Sequence, residues 1–300
     1  MVKPNIFIIG APKCGTTALS EYLRKHPNIF MCNPKEPWYF SFDFARTEEM
    51  DEKKYLSLFS EADPSMHKIV GEASTSYLFS KCAVEEILKF NPDSKFIVML
   101  RNPIDLVQSL HSQRCIDGNE NVYDFEKAWK LEETRRNGKL LPPICWDFKN
   151  LMYSEWGMLG AQIERLFSKV ERNKVEVIIF DDFVKNPKIA YERILNFLNI
   201  PGNDFSEFKI VNENKQIKYP ALYQWLLRVG FGLSKFKNRF KFIPNLGLMR
   251  ILFSKIVKKQ PRIKISESFR RELIDCYYSD VIKLSKLLDR DLTKWVQNEK

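Results

Sequence analysis

No stretch of this sequence stays apolar for the roughly 20 residues that a bilayer-spanning helix requires, so no membrane span is expected. An apolar run opens at Asn5, which leaves no room for a signal peptide and favours a cytoplasmic location. The cysteines at 14, 32, 82, 115, 145 and 276 form no Cys-x-x-Cys pair. A zinc site or dithiol redox motif therefore has no support, and reduced thiols are expected. No Gly/Ser/Pro-rich linker, internal repeat or low-complexity tract divides the chain. A single domain over residues 1–300 follows, with 44% hydrophobic and 13% aromatic residues to build its core. The last absence is local. Between Asn214 and Ser266 there is no Asp or Glu, yet there are thirteen Lys or Arg. The rest of the chain holds 35 basic and 38 acidic residues, so this one segment carries the whole net charge of +10.

What is present begins with Asn5–Gly10, which reads as a buried strand, and Ala11-Pro12-Lys13-Cys14-Gly15-Thr16-Thr17 follows without a gap. Ala18–His26 has helical spacing, with Leu19, Tyr22 and Leu23 on one face. A strand, a Gly-containing loop and a helix N-terminus make an anion site, because unpaired N–H groups and the helix dipole both face the loop. The loop is similar to a Walker A motif, but Lys13 lies mid-loop instead of directly before the Ser/Thr. That displacement points away from nucleoside triphosphates and toward another phosphorylated ligand. The residues alone leave open an ordinary Gly turn with Thr16 or Thr17 as helix cap. Cys14 reads either as a small residue that fits the loop or as a thiol whose pKa the backbone donors lower.

A second strand, Lys95–Leu100, ends in Arg101-Asn102-Pro103, and a helix from about Ile104 carries Ser109. Arg is a planar, permanently charged fork suited to phosphate, and a hydroxyl adds a neutral donor. Pro103 suits the first helical position. Pro34-Lys35-Glu36-Pro37-Trp38-Tyr39-Phe40 places an acid in a proline-flanked loop after the first helix.

Together these segments resemble the sulfotransferases that use 3′-phosphoadenosine-5′-phosphosulfate (PAPS). Pro12–Thr17 matches their 5′-phosphosulfate loop, and Arg101 with Ser109 resembles their 3′-phosphate motif. Lys35-Glu36 through Phe40 resembles the Lys-Glu-x-x-x-Phe segment of heparan-sulfate-type and bacterial carbohydrate sulfotransferases, in which the Glu is the general base. Glu72-Ala73-Ser74-Thr75-Ser76-Tyr77 is similar to a Glu-x-Ser-x-x-Tyr segment near cofactor and acceptor, although Glu72 and Tyr77 also read as a packed structural pair. Val175–Asp182 resembles a late strand ending in an acidic pair. Asn214–Pro220 resembles the loop that closes over the cofactor. It lacks that loop's glycine, which leaves the role of Lys215 open.

The resemblance implies an α/β fold with a P-loop-like parallel sheet flanked by helices, a helical insertion at 116–155 that shapes the acceptor site, and a basic helical segment at 214–266. It implies cofactor contacts from Lys13, Cys14, Gly15, Thr16, Thr17, Arg101, Ser109 and Lys215, with adenosine 3′,5′-bisphosphate as product and no metal. Glu36 and Lys13 would be the catalytic residues. His111 is an alternative base or a structural histidine, and Gln113 shares the helix face of Ser109. The acceptor would be a carbohydrate or a lipid-linked glycan. The basic segment, with its interleaved aromatics, suits an anionic membrane surface or glycan better than nucleic acid, or forms a solvated amphipathic appendage. Two other readings stay open: a P-loop kinase or nucleotidase, and a non-catalytic module that binds glycan or membrane.

Overall fold

The computed structural model describes residues 2–45, 50–208 and 264–297, together with 215–217, 223, 226 and 257–259. The chain divides into two compact units. The first comprises Met1–Leu106, Trp156–Asn212 and Ile274–Lys300, and the second Val107–Glu155 and Glu213–Leu273.

Five strands form the sheet of the first unit: β1 (Ile6–Gly10), β2 (Ile29–Met31), β3 (Ile69–Ala73), β4 (Lys95–Leu100) and β5 (Val175–Ile179). Their order is β2-β3-β1-β4-β5, and every pairing is parallel. The helices in chain order are α1 (Thr16–Arg24), α2 (Glu52–Ser57), α3 (Ala83–Phe90), α4 (Pro103–Asp117), α5 (Phe125–Lys130), α6 (Glu132–Arg136), α7 (Tyr153–Trp156), α8 (Leu159–Phe167), α9 (Phe180–Lys185), α10 (Pro187–Leu198) and α11 (Glu267–Leu288). Alternating strands and helices give this parallel architecture because each parallel pair needs a crossover.

The strand sequences follow from their burial. β1 lies between β3 and β4, and all five of its residues are buried, which is why Ile6–Ile9 is continuously apolar rather than alternating. Phe7 stacks on Phe96 of β4 at 6.1 Å and meets Phe40 edge-on at 6.0 Å. β3 passes so close to β1 that a Cβ at Gly71 would lie 2.4 Å from Ile6 Cγ1. The strand order also locates a binding edge. The chain runs from β1 outward to β2 and β3, then crosses to β4 on the opposite side, so the carboxyl ends of β1, β3 and β4 flank a topological switch point.

Two boundaries differ from the sequence reading. The first helix begins at Thr16 rather than Ala18, because Gly15 already turns the chain at its N-cap. The late strand stops at Ile179, and its acidic pair lies inside α9. The following helix starts at Pro187, with the Asn186 side chain accepting from Ile189 N.

β5 ends the strand order, and two guanidinium groups lie against it. Arg172 Nη1 donates to Val175 O at 2.6 Å, and Arg193 Nη2 to Val177 O at 3.3 Å.

In the second unit, α5 and α6 realise the helical insertion expected at 116–155. Its centre is an ion pair with no solvent exposure on either side chain: Arg135 donates to both oxygens of Glu120 at 2.7 Å. Tyr153 OH and the backbone N–H groups of Asn121 and Val122 complete the carboxylate's shell at 2.8–2.9 Å. Within the basic segment, β6 (Lys215–Ile217) pairs antiparallel with β7 (Val257–Lys259). Tyr223 and Leu226 are helical and buried, so the segment contains strand as well as helix. Apart from residues 264–266, its remaining residues lie outside the described ones. No helix among the described residues is long and apolar enough to cross a membrane.

Candidate active site

The loop after β1 turns at two left-handed residues, Lys13 (φ 63°) and Gly15 (φ 88°). Glycine is needed at 15 on two counts. The dihedral disfavours a side chain, and a Cβ would meet the Phe180 and Phe183 rings at 3.2–3.3 Å. Gly15 is the N-cap of α1 and has no side chain to accept from the first turn, and no acid occupies that turn. The amide donors of the first turn are therefore available to an anion. This removes the reading of Thr16 or Thr17 as the cap.

Arg101 leaves the end of β4 and is brought to this loop through Phe180. Its guanidinium lies 4.7 Å from the Phe180 ring centroid, and the same ring faces Gly15. Asp105, one helical turn on, receives Arg101 Nη2 at 3.2 Å. Arg101 Nε is buried without a hydrogen-bond partner among the described residues. The Cys14 thiol, fully buried, donates to Pro12 O at 3.4 Å. Burial pushes this thiol up, and the nearby positive charges of Arg101 and Lys13 do not reverse that. Of the two readings of Cys14, the structure therefore agrees with a small buried residue that fits the loop: desolvation of the thiolate outweighs the cations of the loop.

Glu36 stands in the loop after β2 and has left-handed backbone (φ 64°). Its carboxylate gathers donors from three directions. Lys35 Nζ lies 2.6 Å from Oε1, Trp38 Nε1 donates to Oε2 at 2.7 Å, and Thr75 N donates to Oε2 at 2.9 Å. Thr75 Oγ1 spans both oxygens at 3.1 and 3.3 Å. Lys35 Nζ also reaches Thr16 Oγ1 at 3.4 Å. A single ammonium thus links the acid loop to the first residue of α1. Thr75 escapes a reading of the sequence because only the folded positions of β3 and the β2 loop make it a neighbour of Glu36. Phe180 escapes it for the same reason. The Lys-Glu dipeptide is the only local signal.

Glu72, at the end of β3, has no solvent exposure. It accepts from Tyr55 OH at 2.8 Å, Tyr77 OH at 3.0 Å and Ser74 Oγ at 2.7 Å. Burial raises its carboxyl to about 7, against the opposing pull of the three hydroxyls. Glu72 and Tyr77 are therefore directly bonded, as the packed-pair reading expects. Asp182 receives the Arg290 guanidinium, which holds its carboxyl below the ordinary value.

Lys13 through Thr17, Glu36 and Arg101 all belong to the first unit, whereas Ser109, His111, Gln113 and Lys215 belong to the second. Ser109 is buried on α4, and Lys215 opens β6. His111 is buried between Phe125 and Tyr153, and its Nε2 donates to Val122 O at 2.8 Å. Desolvation lowers its pKa, and the bond to Val122 accounts for it as a structural residue.

Fold and site together define an α/β protein of the P-loop-like kind, whose first loop leads into a helix N-terminus without a side-chain cap, linked through Lys35 to the Glu36 carboxylate. A sulfotransferase domain matches residues 3–219, and the chain belongs to the sulfotransferase family. Its fold is similar to the crystal structure of a sulfotransferase from Alicyclobacillus acidocaldarius, with 25% identity, 99% of this chain and 100% of that chain covered, and a TM-score of 0.71. It is 31% identical to the membrane-associated sulfotransferase kil1 of Dictyostelium discoideum over 155 residues, 51% of this chain and 28% of that protein. It is 24% identical to human carbohydrate sulfotransferase 15 over 246 residues, 66% of this chain and 44% of that protein. The chain spans less than half the length of these two relatives.

Proposed function

We propose that the chain transfers the sulfuryl group of PAPS to a hydroxyl or amine of a carbohydrate or glycolipid acceptor. The observation that carries this reading is the link from Glu36 through Lys35 to Thr16, which joins a proton acceptor to the helix N-terminus that receives an anion. The acceptor oxygen or nitrogen attacks sulfur in line as its proton passes to the Glu36 carboxylate. The bond from sulfur to the bridging oxygen breaks, and adenosine 3′,5′-bisphosphate leaves. Lys13 and the first-turn amides of α1 stabilise charge that grows on that oxygen. Arg101 grips the 3′-phosphate, and the buried Arg101 Nε supplies a donor for it. Thr75 Oγ1 makes the longest contacts to Glu36 and is a rotatable hydroxyl, so it yields most readily to the acceptor.

Relatives named for carbohydrate acceptors support the substrate class. The test is transfer of label from PAPS to a panel of glycans, glycolipids and small alcohols, alongside thermal shifts with nucleotides. Adenosine 3′,5′-bisphosphate without Mg²⁺ is expected to raise the melting temperature. Stabilisation by ATP or GTP with Mg²⁺ alone would favour a kinase, and stabilisation by no nucleotide a binding module.

A second reading concerns location. Thirteen basic and no acidic residues at 214–266, and a relative named membrane-associated, support docking on an anionic bilayer or lipid-linked acceptor. Salt-sensitive sedimentation with anionic but not neutral liposomes is expected. Binding to an anionic glycan alone would move the segment's role to the acceptor.

A further inference from the structure

The residues around Glu36 form neither helix nor strand, and two of them are held in left-handed backbone without being glycine: Glu36 at φ 64° and Trp38 at φ 52°. Such dihedrals persist only where the surroundings over-determine them. Three backbone donors tie this loop down at alternate residues. Glu36 N donates to Ala73 O at 3.0 Å, Trp38 N to Ser74 Oγ at 3.1 Å, and Phe40 N to Tyr77 OH at 3.3 Å. The last two acceptors are hydroxyls, which can point their protons either way. Both send them to Glu72, Ser74 to Oε2 and Tyr77 to Oε1.

We propose that Glu72 is the positioning residue for the loop that carries Glu36. A carboxylate only accepts. It therefore draws the Ser74 and Tyr77 protons inward and leaves their lone pairs turned toward Trp38 N and Phe40 N. Tyr55 from α2 is the third donor on the same carboxylate, and it fixes the orientation of Glu72 itself. Tyr55, Glu72, Ser74 and Tyr77 are all without solvent exposure, so no water competes for these directions. The titratable groups that act on Glu72 or feel it are Glu36, Tyr55, Tyr77 and the Cys32 thiol beyond β2. The pairing of a buried acid with the loop is thus not mere filling of the core. It sets the direction of two hydroxyl dipoles, and those set the conformation of the proton acceptor.

This inference rests on Glu36 as the base, and its test separates the two ideas. Hydrogen–deuterium exchange, followed by mass spectrometry, reads the amides of residues 36–40 directly, without any acceptor. Glu72→Gln turns an amide NH₂ toward Ser74 and removes the acceptor there. Exchange in 36–40 is expected to rise about tenfold, as for one lost hydrogen bond, and exchange in α1 to stay unchanged. Ser74→Ala, which removes no buried carboxylate, guards against a folding failure and should act in the same direction. Binding of adenosine 3′,5′-bisphosphate should remain within about twofold of wild type in both variants. With an acceptor from the panel, kcat should fall about tenfold with little change in the KM for PAPS. Unchanged exchange in 36–40, or a rise spread equally over all five strands, would overturn the proposal. If the wild-type protein transfers to no acceptor while the loop loosens as expected, the functional reading fails and the positioning role stands.

Discussion

Among the described residues, two glutamates with no solvent exposure are held in opposite ways, one in each unit. Glu120 meets a buried cation, the Arg135 fork, at 2.7 Å on both oxygens. Glu72 meets three hydroxyls. In the second unit charge answers charge, which fixes a helical core. In the first unit hydroxyl dipoles answer the acid, while Lys13, Arg101 and the uncapped end of α1 gather around Cys14 and Gly15. The contrast separates two uses of buried charge. A neutralised pair holds elements together, whereas cations set toward a helix N-terminus prepare a place for an anion brought from outside.

The largest effect should come from breaking the neutral pair. Arg135→Ala leaves Glu120 buried without its cation and should cost about 3–5 kcal/mol in urea unfolding. Tyr55→Phe removes one hydroxyl from Glu72 and should cost roughly 1–3 kcal/mol. Equal losses would erase the distinction between the two carboxylates. Next come the charges of the site. Lys13→Ala should lower turnover by about 10³-fold, because its charge acts where negative charge grows in the transition state. Near wild-type turnover in this variant would remove the loop from the chemistry. Glu36→Gln should lose about 10²-fold in kcat with calorimetric binding of adenosine 3′,5′-bisphosphate intact. Arg101→Ala should mainly weaken that binding, by about 10-fold or more, since the 3′-phosphate carries the same charge throughout the reaction. A loss confined to kcat would contradict the assignment.

The smallest effect is on the pH dependence of stability. Glu72 rises in the folded state from an ordinary 4.5 to about 7, and Glu132 does the same. A raised pKa means that the folded state binds the proton more tightly. Each group's contribution is therefore fully present below pH 4.5 and is lost as pH rises through about 7. Glu72→Gln should flatten the fall in unfolding free energy over this window without abolishing it, because Glu132 remains. An unchanged slope would mean that the hydroxyls around Glu72 offset the desolvation of its charge.

How much of this was legible depends on whether a signal was local. The continuous apolar runs at Ile6–Gly10 and Lys95–Leu100 announced buried parallel strands, and the position of Lys13 and Gly15 between strand and helix announced the turn into the N-terminus of α1. Arg101 was readable because a strand end and a Pro-started helix fall in adjacent residues. The distant partner of Glu36 was not. Thr75 lies 39 positions away in sequence, and nothing periodic relates the two. The hidden pair Glu120–Arg135 was equally silent, since its members stand 15 positions apart with helix α5 between them. At Cys14 the sequence offered both an inert small residue and an activated thiol, and burial, which a sequence does not display, decides for the first. The short β6–β7 pairing joins segments some forty residues apart, and their basic, aromatic composition reads as helix rather than strand.

The two guanidinium groups along β5 have a consequence for how the protein behaves in a crowded solution. A strand at the end of a sheet normally offers a row of carbonyls and amides on which another chain can template itself. Arg172 and Arg193 already occupy the carbonyls of Val175 and Val177, and each places a bulky, hydrated cation there. An incoming strand from a second copy would have to displace both before forming its first rung. The flank of the sheet is thereby protected against edge-to-edge growth into aggregates, and the protection is written in two residues outside the strand itself.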